Sequence, residues 1–413
     1  MGLNRNAWLL IGGQSVSIVG DSLLVMVLPL MVLDLTGSAL QVSVVFILTQ
    51  LPNFLAFLSG RMRKYFTPKT LIFFYDLSRF VILLIISTLL YLNTSLIYLV
   101  YFLFFVMNLF STLFRPTRIE FITHIVSEDS LRKFNSYDRT LEAVATAVGF
   151  GLGGYAYHYL PLQWVFALNS LTFFISGISI LFLKTSYQGA GLDNKHHVKI
   201  SFWETVVSVS KNKTQSFLMY GETMAGVAFG IFMAMFVVYA RHYLSVDSIT
   251  IGHLEMLQSF FATMAGFLIS WGLVKVSDRV LGLIGYSGMA LSMVLMGLNS
   301  IVWPVFFLMA IIGFFNMMYA VAVRTLLQTN SPKEELIHIF AYESILSRTA
   351  FIVGAGMSGG LLSYSGLTAN WVILSAGIIL FFVAAWGFQV LFVQQKKLPE
   401  RMEEEHDQTH RVY

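Results

Sequence analysis

Between Ala7 and Leu33 the chain carries one ionisable side chain, Asp21. A run this long and apolar belongs in the hydrocarbon core of a membrane, which a helix of about 20 mainly apolar residues crosses. It is too long for the apolar core of a secretory signal, about 7–15 residues. Comparable runs recur, and they predict spans over residues 8–33, 41–59, 70–92, 95–114, 136–160, 163–183, 215–240, 249–274, 280–298, 301–323, 342–364 and 370–393. Backbone polar groups in lipid must be satisfied within the segment, so the runs read as helices. The expected fold class is an all-α membrane protein of about 12 transmembrane helices, with very short turns near 92–95 and 298–301.

Composition excludes the main alternatives. Only 12% of the 413 residues are charged and 56% are hydrophobic, whereas soluble domains carry about 25% charge. The 26 basic against 22 acidic residues are too balanced and too scattered for nucleic-acid binding. The absence of cysteine rules out disulfides, thiol chemistry and cysteine metal sites. No Gly-x-x-x-x-Gly-Lys-Ser/Thr phosphate loop and no His-Glu-x-x-His zinc motif occurs, so neither ATP-driven nor zinc chemistry is expected. The polar segments are too short for a catalytic domain. No enzyme activity, cofactor or metal is therefore expected.

The basic residues fix an expected orientation. With the N-terminus placed in the cytoplasm, 22 of the 26 fall in inner segments and only Arg241 in an outer loop. Arg79, Arg139 and Arg348 sit near inner span ends. Cytoplasmic loops are enriched in Lys and Arg, so both termini are expected inside a cell membrane crossed many times.

The longest polar stretch, residues 184–214, separates residues 1–183 from 215–394, and a tail follows at 395–413. Its His196-His197 pair lacks further ligands and reads as solvated linker. The two parts repeat one another. Tyr137, Asp138 and Leu141 match Tyr342, Glu343 and Leu346 at constant offset, and Gly149, Gly151 and Gly154 match Gly354, Gly356 and Gly359. A six-helix repeat in parallel orientation is a feature of transporters, whose substrate sites lie near the midplane where the repeats meet.

Further stretches carry a family resemblance. Gly20-Asp-Ser-Leu-Leu-Val-Met-Val-Leu-Pro29, Leu35-Thr-Gly-Ser38, Leu51-Pro52, Asp76-Leu-Ser-Arg79, Phe114-Arg-Pro116 and Gly149-Phe-Gly-Leu-Gly-Gly154 resemble the major facilitator superfamily. Within it the chain is similar to bacterial exporters of the macrolide-efflux and enterobactin-exporter type. The resemblance implies the major facilitator fold and secondary active efflux by antiport. It departs from the family in three places. The loop between spans two and three, Gly60-Arg-Met-Arg-Lys-Tyr-Phe-Thr-Pro-Lys69, has Lys64 where an Asp is usual. Span four offers Asn108 where proton-coupled drug antiporters often have Arg, and Phe150 stands where the glycine motif usually has Pro.

Ionisable groups inside spans are costly and mark functional candidates. Asp21 lies mid-span and reads either as a proton carrier or as a structural hydrogen-bonding group. Glu222 lies about 9 Å from the centre of span seven by helical rise and would receive a cationic group or a proton, or face a vestibule. Glu255 in span eight and Asn108 complete this set for substrate and proton coupling. A second set would form a cytoplasmic gate: Arg63, Lys64, Asp76, Arg79, Asp138 and Arg139, with Glu142, Glu343 and Arg348. Asp76 and Arg79, spaced i,i+3, are expected to pair. The reversed loop charge suggests a latch from Lys64 or Arg63 to Glu343. Gly149, Gly151, Gly153, Gly154, Gly354, Gly356 and Gly359 would let helices approach closely. The expected function is proton-coupled efflux of a small amphipathic compound by a monomer in contact with membrane lipid. An importer or lipid-moving carrier, and a non-transporting receptor or scaffold, are the alternatives.

Overall fold

The computed structural model describes residues 4–92, 96–183, 209–210, 212–331 and 335–393. Most of the 184–214 linker, with His196 and His197, and the 395–413 tail lie outside the described residues. Among the described residues the chain is helical, without strands. The first part holds α1 (Arg5–Thr36), α2 (Ala39–Gln50), α3 (Leu58–Met62), α4 (Pro68–Tyr91), α5 (Ile97–Ile125), α6 (Glu128–Tyr159) and α7 (Leu162–Leu181). The second holds α8 (Lys213–Val238), α9 (Ser248–Ser270), α10 (Asp278–Leu298), α11 (Val302–Thr329), α12 (Leu336–Tyr364) and α13 (Ala369–Phe388).

Nine helices among the described residues are long and apolar enough to cross a membrane. The expected spans 136–160 and 249–274 are helical but more polar, since they hold Asp138, Arg139 and Glu142, and His253 and Glu255, respectively. The expected span 41–59 is not one continuous α-helix. α2 gives way at Pro52 to a 3₁₀ turn, Leu51–Leu55, because proline lacks an N–H and clashes with the preceding turn. The short turn at 298–301 is borne out, with Leu298 closing α10 and Val302 opening α11.

Several helices outrun the hydrophobic stretch that predicted them. Span four was expected to end at 114, yet α5 continues through Pro116 to Ile125. Hydropathy marks where lipid ends, whereas the hydrogen-bonded ladder continues into polar sequence. Local chemistry sets other ends. Asn4 caps α1, accepting from the Ala7 N–H at 2.8 Å, and Gly37 closes it at φ 63°, where a side chain would be strained.

The chain forms two compact units. The first comprises Met1–His197, Ala234–Phe260 and Ser358–Gly366. In it α1 packs on α6 and α7, and α4 on α5 and α7. A methyl on Gly149 would lie 2.5 Å from the Val19 carbonyl oxygen, so α1 and α6 touch backbone to backbone. The start of α9 joins this unit at another glycine: Ser248 donates to the Gly154 carbonyl at 3.2 Å, and a methyl on Gly154 would meet the Gly252 Cα at 3.2 Å.

The second unit comprises Val198–Met233, Phe261–Met357 and Leu367–Tyr413. Here α10 packs on α11 and α13. A methyl on Gly354 would fall on the Val227 carbonyl, so α12 lies against α8 as α6 lies against α1. The units therefore differ from a simple division at the linker, because Ala234–Phe260 and Ser358–Gly366 belong with the first.

Candidate functional site

Asp21 is the seventeenth residue of the 32-residue helix α1, between apolar turns. Its carboxylate approaches the Arg79 guanidinium at 3.8 Å and remains 36% exposed. Arg79 projects from α4, where i,i+3 spacing brings it onto Asp76 in an ion pair. Asp76 is fully buried, and its second oxygen accepts from Ser176 of α7 at 2.8 Å. The guanidinium lies between two aromatic faces, its carbon 4.7 Å from the Phe114 ring centroid and 4.3 Å from that of Phe173. Delocalised charge suits such stacking. The Asp76–Arg79 pair thus sits in the interior of its unit, deeper than the gate position expected from the sequence.

A cavity of about 380 Å³ opens beside this network, lined in part by Gln14, Asp21, Arg79, Asn108, Arg115 and Arg118. Positions 108, 111, 115 and 118 form one stripe of α5, since helical residues three and four apart share a face. Asn108 donates to its own helix at the Phe104 carbonyl, 2.9 Å away. Ser111 accepts from Arg79 at 3.4 Å. Arg118 pairs with Asp138 of α6. Arg139 and Glu142, one turn apart on α6, pair at 2.9 Å on the exposed side. Asp138, Arg139 and Glu142 also line the cavity.

Glu222 of α8 stands in the second unit, half-buried. It accepts from Tyr286 at 3.4 Å, whose ring lies 5.0 Å from that of Tyr319. The repeat is legible here: Glu222 lies five residues before Val227, whose carbonyl meets Gly354, and Gln14 lies five before Val19, whose carbonyl meets Gly149. Glu255 is buried on the α9 face that carries Ile251, Leu254 and Gln258.

Of the remaining gate candidates, Arg63 and Arg348 are engaged within their own units. Arg63 grips Glu120 of α5 with two bonds, 2.7 and 2.6 Å, and donates to the Phe66 carbonyl. Lys64 is exposed. Glu343 is half-buried, and Arg348 donates to Ser344 at 3.1 Å. Of the glycines, Gly151 and Gly153 also make close approaches, to Met256 and to α1 at Leu23, and Gly359 lies on Ser43.

Sequence reasoning missed Gln14, Arg115, Arg118 and Glu120 as site residues. The signal was present: Arg115 and Arg118 follow Asn108 at helical spacing, but the helix was ended at 114. Asp34, Tyr157 and Arg241 were missed as a group. Tyr157 donates to Asp34 at 2.8 Å, and Arg241 reaches the same carboxylate at 3.2 Å.

A sequence family described as the Major Facilitator Superfamily matches residues 10–239. No curated protein sequence matches the chain. Among solved structures, the nucleoside transporter NupG, as a point mutant, is similar at a TM-score of 0.75 and 10% identity, over 95% of this chain and 100% of that one. A bacterial homologue of the human lysosomal transporter Spinster matches at 0.70 and 11%, over 94% and 98%. A bacterial homologue of the iron transporter ferroportin matches at 0.70 and 14%, over 94% and 100%. At these identities the likeness is one of fold.

Proposed function

The chain belongs to the Major Facilitator Superfamily, and on that premise we propose that it couples proton movement to the transport of a small amphipathic compound. One observation carries the reading. A carboxylate at mid-helix, Asp21, stands part-exposed in the cavity and shares the Arg79 guanidinium with the buried Asp76. Because Asp76 holds Arg79 in either case, Asp21 gains or loses a proton without leaving a buried cation unpaired. Intramembrane carboxylates are costly to keep, which favours transport over a scaffold. Export is the direction implied by the resemblance to efflux permeases. Import is the second reading, favoured by Arg115, whose positive charge shares the cavity with Asp21.

The test is transport in proteoliposomes under an imposed pH gradient with a panel of amphipathic compounds. Wild type is expected to move at least one of them only when the gradient is present, and Asp21→Asn to bind it without gradient-driven accumulation. Full gradient-driven transport by Asp21→Asn removes Asp21 from coupling and turns attention to Glu222. The distribution of basic residues supports a cytoplasmic location for both termini and the 184–214 segment. Protease cleavage of a tag at any of these places from outside sealed cells overturns that orientation.

A further inference from the structure

We propose that the cavity beside Asp21 binds an amphipathic organic anion, with the acidic group on Arg115 and Arg118. The inference rests on the transporter reading and adds the substrate class.

Charge pairing leads to it. Arg79 is matched by Asp76 and Asp21, Arg118 by Asp138, and Arg139 by Glu142. Arg115 lines the same cavity with its side chain exposed, and no carboxylate among the described residues pairs with it. Arg115 is therefore the cavity guanidinium without an ion-pair partner among the described residues, while Arg79 holds two carboxylates.

Unmade hydrogen bonds lead to the same place. The Nε atoms of Arg79 and Arg118 are buried without a partner, and so is the Oε1 of Gln14. Arg79 is 2% exposed and Gln14 9%, and all three side chains line the cavity. Buried donors and acceptors are normally satisfied, and exceptions call for an explanation. A carboxylate or phosphate accepts from guanidinium N–H groups in strong charge-assisted bonds. Gln14 Oε1 is an acceptor and asks for a hydroxyl or N–H elsewhere on the same ligand.

The rest of the wall suits an apolar body. Ile18, Leu24, Val25, Phe104, Met107 and Phe114 line it. The volume of about 380 Å³ matches small-molecule sites, which run from about 300 to 1,000 Å³. An organic cation fits the charges poorly: it would compete with Arg79 for Asp21 and leave Arg115 unanswered. A free organic acid and an acidic lipid share the required chemistry.

The test uses the full chain in detergent, with unfolding followed by tryptophan fluorescence. The probes are 3-phenylpropionate, its amide, 3-phenylpropylamine and a short-chain phosphatidylglycerol. An anion is expected to raise the unfolding temperature of the wild type while the amide and amine leave it unchanged. Arg115→Gln is expected to weaken that anion by roughly tenfold or more, and Arg115→Lys, which keeps the charge but not the fork, by less. Stabilisation by the phenylpropionate identifies a free acid as the occupant, and stabilisation by the phosphatidylglycerol alone an acidic lipid. Equal stabilisation by amide or amine, or an unchanged anion affinity in Arg115→Gln, overturns the proposal. Should Arg115→Gln not fold, the wild-type comparison of acid with amide decides alone. The same probes are then offered to proteoliposomes. Movement of the amine and not the anions refutes the anion site and leaves the transporter. Anion binding with no compound moved keeps the site and refutes the transporter.

Discussion

Arg241 and Asp34, 207 positions apart in the chain, meet in a two-pronged ion pair with Nε–Oδ1 3.3 Å and Nη2–Oδ2 3.2 Å. A wide helical turn, Tyr239–Tyr243, ends α8 and carries Arg241, and such i→i+5 turns often mark functional positions. Arg241 also donates to the Val246 carbonyl at 3.4 Å, and Tyr157 donates to Asp34. Both charged side chains are 33% exposed, so the pair is worth about 0–1 kcal/mol and weakens with salt. Its loss should therefore change stability little. Asp34→Asn and Arg241→Gln should leave the unfolding temperature nearly unchanged, yet raise labelling of a cysteine placed nearby by a membrane-impermeant reagent. The swap Asp34→Arg with Arg241→Asp should restore protection. The chain has no cysteine of its own, so the label reports one site. Unchanged labelling in both single variants would reduce the pair to a surface contact.

Asp76 should behave in the opposite way. Removing one partner of a buried ion pair costs about 3–5 kcal/mol, because the other charge stays buried and uncompensated. Asp76→Ala is expected to lower the unfolding temperature sharply, with Arg79 left to the part-exposed Asp21. Ser176→Ala removes one hydrogen bond and should cost only about 0.5–1.5 kcal/mol. A mild Asp76→Ala would show that Asp21 suffices for Arg79. Detergent-solubilised thermal unfolding measures both variants.

The glycines separate by what surrounds them. A methyl on Gly149 would meet the Val19 carbonyl oxygen at 2.5 Å and the Ser22 Cβ at 2.7 Å, whereas nothing lies within 4 Å of one on Gly360. Overpacking costs about 1–3 kcal/mol. Gly149→Ala should therefore destabilise by about that much and Gly360→Ala should not. Equal unfolding temperatures for the two would mean that α1 and α6 separate without penalty.

How far the sequence could be read follows from these residues. Apolar length located the helices, because lipid imposes it. The glycine repeat was visible because close helix contact demands small residues at a fixed offset, and methyls on Gly149 and Gly354 would meet the Val19 and Val227 carbonyls alike. Asp76 and Arg79 were legible as a pair, since i,i+3 spacing is local. Their depth was not, because it depends on Ser176, Phe173 and Asp21 from other helices. Arg63 was read as free for a latch because its partner Glu120 lies 57 positions away. Arg115 was lost for a different reason: polar sequence after Phe114 looked like loop, while the helix ran on.

Asp21 and Arg115 together set the sign of a pH effect. Around Asp21 stand Asp76 and Arg79 of α4, Arg115 and Arg118 of α5, and Asp138, Arg139 and Glu142 of α6. Each acid but Asp21 is matched by a basic group at ion-pair distance of its own, so Asp21 is the carboxylate freest to change charge. A proton on it removes one negative charge from the cavity and leaves Arg115 unopposed there, while Arg79 keeps Asp76. An anion should bind more tightly as pH falls through the titration of Asp21, and linkage requires that the anion in turn favour the proton by the same factor. Mutual favour of this kind moves substrate and proton together, which is import down an inward proton gradient. Competition between them moves the two in opposite directions, which is export. Asp21→Asn mimics the protonated carboxyl and should keep tight anion binding at every pH, with a flat profile. The measurement is 3-phenylpropionate affinity across the pH range for wild type and Asp21→Asn. Affinity that rises on acidification only in wild type supports import of an anion. Affinity that falls on acidification in wild type leaves export as the direction and places proton and substrate in competition for one site.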